Sequence, residues 1–370
     1  MALLHTMAAA GIRVTLDLRA GHVRELTVTA EGRDLTPFHT APCLDDPVVQ
    51  ADETLPLHLR LLSGDFFCAP FAASDVEEAP SHGWTANSPW TVVETTTLSD
   101  GITALYRLDR PVLGATVEKR FTLHDHHPFV YQTHTFMGGE GAVPVANHAM
   151  VRVGGGGRLA FSAKAAVETP DVPVETDPAR GRSALTPAVR GDDPTRVPKV
   201  DGGSADLTRL PFDVRHEDVA MLVERRGSPL GWLAVSRSGA GDAMISLKDP
   251  ADFPLTVLWF SNGGRFYAPW NGRHAGVLGV EEARSDFLRG HRSSILPNAL
   301  TRGGIATALA LRPDGSAEVR NVIGAVALSA GGSPVADLVA QDSDLAIACE
   351  NGTRFTVPFD TAFLAPASGS

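Results

Sequence analysis

The chain has 370 residues, 43% hydrophobic and 20% charged, enough to bury a sizeable core and too apolar for a disordered or collagen-like polymer. Its 32 basic and 43 acidic residues give a net charge of −11, with no stripe of Lys and Arg suited to a phosphate backbone, so nucleic acid is not an expected partner. With 36 glycines and 26 prolines, many short elements joined by turns are favoured over a helical bundle.

The first segment, MALLHTMAAAGIR, lacks the basic start and continuous apolar stretch of a secretory leader, and no run approaches the length of a membrane span. Alternating segments follow at 11–18, 22–30, 89–96, 102–109, 115–124 and 128–136, the pattern of half-buried antiparallel strands. Asp-Gly, Pro and Gly-Gly signals join them as hairpins would. Strand texture resumes at 218–226, 231–238, 253–261, 274–283, 305–313, 318–329 and 345–359. The best helical candidate is 335–343, with a turn or single helical turn at 283–291.

Between the two halves, 162–210 mixes Pro, Asp, Gly and Arg without periodicity. Because the same strand texture resumes beyond it, we read this stretch as an irregular insertion crossing one β domain that spans 1–370. Cys43, Cys68 and Cys349 are odd in number and scattered, which argues against a disulfide framework or a structural zinc site and favours a cytoplasmic location.

No P-loop, dinucleotide fingerprint or GxSxG elbow occurs. Histidine and carboxylate instead gather in GDFFCAPF (64–71), SHGWTANSPW (81–90), VANHAMVRV (145–153) and the stretch 259–283. In chain order, His82-Gly83-Trp84, Asn147-His148 and Val280-Glu281 resemble motifs of the galactose mutarotase-like, or aldose 1-epimerase, superfamily. That resemblance covers about residues 11–330. It implies an all-β supersandwich with a sugar cleft, a small carbohydrate ligand, a monomer or homodimer, and no cofactor or metal. The chain departs from the pattern where hexose mutarotases carry arginines, at Ala72-Ala73-Ser74 and Thr85-Ala86. Arg152, Arg265 or Arg273 are candidate replacements, and Asp213 or Asp218 could stand for the substrate-binding aspartate.

Anomer interconversion needs a base for the C1 hydroxyl proton and an acid for the ring oxygen, expected on opposite sides of the sugar. A partly desolvated carboxylate suits the base, and a histidine suits the acid. Glu281 takes the first role and His148 the second, with His82 as an orienting donor. Asn147 is placed with them in the cleft. Trp84, Trp90, Trp259 and Trp270 could present a flat face to sugar C–H groups, Trp270 foremost, although a core position suits any of them. Strand alternation points Glu281 and Glu282 to opposite faces, with one of the two expected in solvent.

Three other readings compete. A carbohydrate-binding protein without turnover follows if the missing arginines matter. The cluster His124, His126, His127, His134 and Glu140 loosely resembles a metal site, although HDHHP also reads as a hairpin turn. A lyase reading would draw on Tyr106, Tyr131 and Tyr267, the chain's only tyrosines.

Overall fold

A computed structural model describes residues 3–328 and 332–365. Its architecture is layered, with an eleven-stranded and a nine-stranded antiparallel sheet packed face to face. Inward-facing side chains such as Val14, Phe67, Val151 and Leu258 from one sheet meet Tyr106, Phe121, Val235 and Ile323 from the other. A three-stranded sheet, Val335–Gln341, Asp344–Cys349 and Arg354–Pro358, covers the outer face of the nine-stranded sheet through Leu338, Leu345 and Ile347. Among the described residues no helix is long and apolar enough to cross a membrane.

The middle of the larger sheet runs Asp65–Cys68, Val145–Arg152, Val277–Arg284, Leu255–Ser261, Glu217–Glu224. Its outer face is also covered, by Phe287, Leu300 and the segment around Cys43 and Val49. Strands buried on both faces have no solvent side to alternate with, so they read as apolar or mixed runs. This explains why Asp65–Cys68, Asp242–Lys248 and Lys164–Glu168 lack the period-2 pattern that marks the exposed hairpins.

Three expectations are corrected. Residues 335–341 form a strand, not a helix: a bulge between Val335 and Asp337 spaces the buried Val335 and Leu338 three apart, which imitates helical periodicity. The irregular stretch begins after Glu168, because Lys164–Glu168 pairs with Glu217–Glu224 in the larger sheet. Of 305–313, only Leu309–Leu311 is strand. The end of the expected strand 318–329, Ser329, lies outside the described residues, as do Met1 and Ala2 of the opening segment.

Candidate active site

Antiparallel register sets His148 opposite Glu281 on adjacent strands, and alternation turns both toward the outer face of the larger sheet. His148 Nε2 and Glu281 Oε1 are 3.2 Å apart, and each residue is only 4% exposed. Burial disfavours the charged form of both. It pushes the Glu281 carboxyl up to about 8 and the His148 imidazole down to about 3. Near neutral pH the pair therefore consists of a protonated carboxyl beside an uncharged imidazole.

Phe66, opposite His148 on the other side, stacks on it at 4.5 Å and also on His22 at 4.5 Å, which fixes the His148 ring plane. His82 meets His148 edge-on at 5.6 Å and His58 at 5.1 Å. Its position depends on a tight turn in which His82 and Gly83 both have positive φ. A Cβ on Gly83 would lie 1.9 Å from the Ala69 carbonyl oxygen, so only glycine fits there. Asn87 Oδ1 accepts from the His58 backbone N–H and lies 3.0 Å from His58 Nδ1, while its Nδ2 donates to Ser81 and Gly83 carbonyls. One amide thus joins the two histidine-bearing segments.

Trp259 forms the floor on the far side of Glu281. Gly279, its cross-strand neighbour, leaves room for the indole: a Cβ there would approach Trp259 Cβ to 2.9 Å. Trp259 Nε1 donates to Glu217 Oε1 at 2.6 Å, and Ser261 Oγ donates to Glu217 Oε2 at 3.0 Å. His274 stacks on Trp259, and Trp270 meets it edge-on at 6.1 Å. The Arg265 guanidinium sits over Trp270 at 4.7 Å and Trp259 at 5.5 Å.

Of these groups, Glu281, His148, Phe66, His82, His58, Trp259, Trp270 and Arg265 line a cavity of about 450 Å³. Its remaining wall is apolar: Pro170, Val172 and Val174 come from the irregular stretch, and Phe287 and Leu288 from the turn after Val277–Arg284. Arg289, bidentate to Asp171, ties these two segments together at the rim.

No protein-family model and no curated protein sequence matches the chain. Solved structures do match in shape. An aldose 1-epimerase candidate from Escherichia coli K12 superposes with a TM-score of 0.56, at 14% identity over 88% of this chain and 99% of that one. A mutarotase candidate from Salmonella typhimurium gives 0.54, at 13% identity over 88% and 90%. A galactose mutarotase-like protein from Lactobacillus casei gives 0.50, at 13% identity over 87% and 100%. The fold is galactose mutarotase-like.

On this galactose mutarotase-like scaffold, the sequence-derived residues divide into two groups. Glu281, His148, His82, Arg265 and Trp270 share the cavity, with Trp259. The others lie elsewhere. Asn147 alternates to the inner face, where Nδ2 donates to Gln132. Asp218 also points inward, accepting from the backbone of Ala184 and Leu185 and facing His216. Trp84 lies under the Arg110 guanidinium, and Trp90 is core. Arg152 donates to the Phe38 carbonyl beyond the cleft, and Arg273 pairs with Asp46. Asp213 is held by Lys199 and Arg182.

Neither Glu281 nor Glu282 is solvent-exposed: Glu282 is buried between the large sheets, paired with Lys248 and accepting from Ser246 and Thr256. The histidines of the metal-like cluster diverge. His124 faces Asp100, His127 faces Tyr131, His126 occupies the hairpin turn and His134 stacks inward on Phe67. Among the described residues no group of three or more His, Cys, Asp or Glu side chains is arranged to hold a metal ion.

Sequence reading missed Phe66, His58 and Glu217. Phe66 carried a signal inside the quoted GDFFCAPF segment. His58 had none, and Glu217 had only its place beside the candidate Asp218, whose side chain turns the other way; the roles of both come from long-range packing.

Proposed function

We propose that the protein interconverts the anomers of a sugar or sugar derivative by acid–base ring opening, with Glu281 and His148 as the proton-transferring pair. The observation that carries this reading is their 3.2 Å separation on one sheet face. The two oxygens that exchange protons are bonded to the same carbon, so a neighbouring acid and base can serve both, an arrangement that differs from the opposed groups expected from sequence. Both oxygens can then face the pair at once.

In the opening step, His148 Nε2 takes the proton from the C1 hydroxyl while Glu281 gives its proton to the ring oxygen. The C1–O bond to the ring breaks and the C1 carbonyl forms. After rotation about C1–C2, closure reverses the transfers. Glu281 is then the base and His148 the acid, but Glu281 serves the ring oxygen and His148 the C1 oxygen throughout, the reverse of the assignment expected from sequence. Burial suits this exchange, since a net-neutral pair avoids holding an isolated charge in an apolar cavity. His82 orients the sugar, and Trp259 or Trp270 faces its C–H groups.

A binding protein without turnover is the second reading, favoured by one observation. Thr85, where hexose mutarotases were expected to supply a nearby arginine, is buried with its hydroxyl accepting from the Ala69 backbone. NMR measurement of anomer exchange across hexoses and pentoses separates the two. Accelerated exchange supports the enzyme, whereas saturable binding with unaccelerated exchange supports the binder.

A further inference from the structure

Arg265 stands apart from the other arginines at the cleft. Arg289 is engaged at Nε, Nη1 and Nη2 by Asp171 and Asp286, and Arg273, which does not line the cavity, donates through Nη2 to Asp46 and the Pro269 carbonyl. The Arg265 guanidinium makes no hydrogen bond among the described residues, and its Nε is buried. Among the described residues its ion-pair partner is Glu217 Oε1, 3.4 Å from Nε, and that oxygen already accepts from Trp259 Nε1. The planar group is held over two indoles and borders the same cavity as Glu281 and His148. A cation fixed by aromatic faces, with its outer N–H groups unused, is preorganised for a bidentate oxyanion.

Building on the anomerase reading, we propose that the preferred ligand is a sugar acid, a pyranose whose exocyclic carbon is a carboxylate bound by the Arg265 Nη atoms. Carboxylate is favoured over phosphate by charge and shape. The cavity offers one unsaturated guanidinium, already offset by Glu217, and an apolar wall of Pro170, Val172 and Val174. A single negative charge on a planar group is matched there, whereas a phosphate ester's second charge finds no partner. Placement is consistent as well. In a pyranose the exocyclic carbon branches from the ring atom on the far side of the ring oxygen from C1, and Trp259 separates Arg265 from the Glu281–His148 pair in the same sense.

The test measures anomer exchange by NMR, and binding by ligand-observed NMR, on the full chain. The probes are D-glucuronate and D-galacturonate, their parent hexoses, and glucose 6-phosphate. A uronate preference of about tenfold or more over the parent hexose and over the phosphate ester is expected. In Arg265→Gln that ratio should fall to within about twofold, and in Arg265→Lys it should recover only in part. Preference for a neutral hexose or for the phosphate ester, or an unchanged ratio in Arg265→Gln, overturns the proposal. Tight uronate binding without accelerated exchange would support this assignment while removing the anomerase reading. Accelerated exchange of neutral hexoses with no uronate preference would do the reverse.

Discussion

Glu281 and His148 meet through the strand ladder itself: they are directly paired residues of neighbouring antiparallel strands, so their separation is set by backbone hydrogen bonding. Phe66 and Trp259 then limit how either side chain can turn. A donor–acceptor pair built on sheet strands is held more rigidly than one built on loops.

The first prediction follows from that pairing. Glu281→Gln keeps the shape and removes the transferable proton. Anomer exchange of the true substrate should fall by about 10²–10⁴-fold, the usual contribution of general acid–base catalysis, while ligand binding persists. Full exchange in this variant would remove the assignment.

The pH dependence of stability has a definite sign. The folded state holds a proton on Glu281 up to about pH 8, whereas an ordinary glutamate releases it near 4.5. Between those values the folded state binds more protons than the unfolded state, so this residue's contribution declines as pH rises and levels off above about 8. His148, pushed down to about 3, acts oppositely between about 3 and 6.5, where the unfolded chain holds the extra proton. The stability gain of Glu281→Gln over wild type should therefore grow from pH 5 to pH 8, as read by denaturant unfolding at each pH. A gain that stays constant across that range would contradict the burial argument.

Gly83→Ala tests the turn that delivers His82. Its positive φ with extended ψ, a region open essentially only to glycine, costs an alanine about 1–3 kcal/mol, and the contact with the Ala69 carbonyl adds to that. Lower thermal stability together with weakened sugar affinity is expected. A wild-type melting profile would show that the turn tolerates a Cβ.

Lys248 tests the interior. It is fully buried between the sheets, contacting Glu282 and lying 3.1 Å from Glu224, which also pairs with Lys164. Lys248→Met strands buried carboxylates and should cost about 3–5 kcal/mol of unfolding free energy. Adding Glu282→Gln should restore part of it, because the uncompensated charge is removed.

The hairpins exposed on one side were readable from alternation alone, and His22–Ala30 matches its expected limits. Of the strands covered on both faces, 218–226, 253–261 and 274–283 were legible as apolar runs, whereas Asp65–Cys68 and Asp242–Lys248 were not, since two covered faces erase the polar-out signal. The same cause hid the fate of Glu282: alternation gave its direction correctly, but nothing in the local sequence says that a second sheet lies on that side with Lys248 waiting. Asn147 and Asp218 failed similarly, as neighbours of cleft residues whose side chains turn the other way. Glu281, His148 and His82, singled out by the order of their motifs along the chain, line one cavity. The Glu217–Trp259–Arg265 arrangement joins residues more than forty positions apart and becomes visible only when the strands are aligned.

The irregular stretch after Glu168 contributes a cavity wall without contributing the proton-transferring pair. It is fastened at a distance, where Asp218 on the inner face grips the backbone of Ala184 and Leu185, and at the rim, where Asp171 meets Arg289. The apolar cavity wall and the Glu281–His148 pair are therefore encoded in separable parts of the chain. Exchanging 172–176, between those two anchors, should alter which ligands the cavity admits while sparing Glu281, His148 and Arg265, giving evolution or an engineer a replaceable cassette.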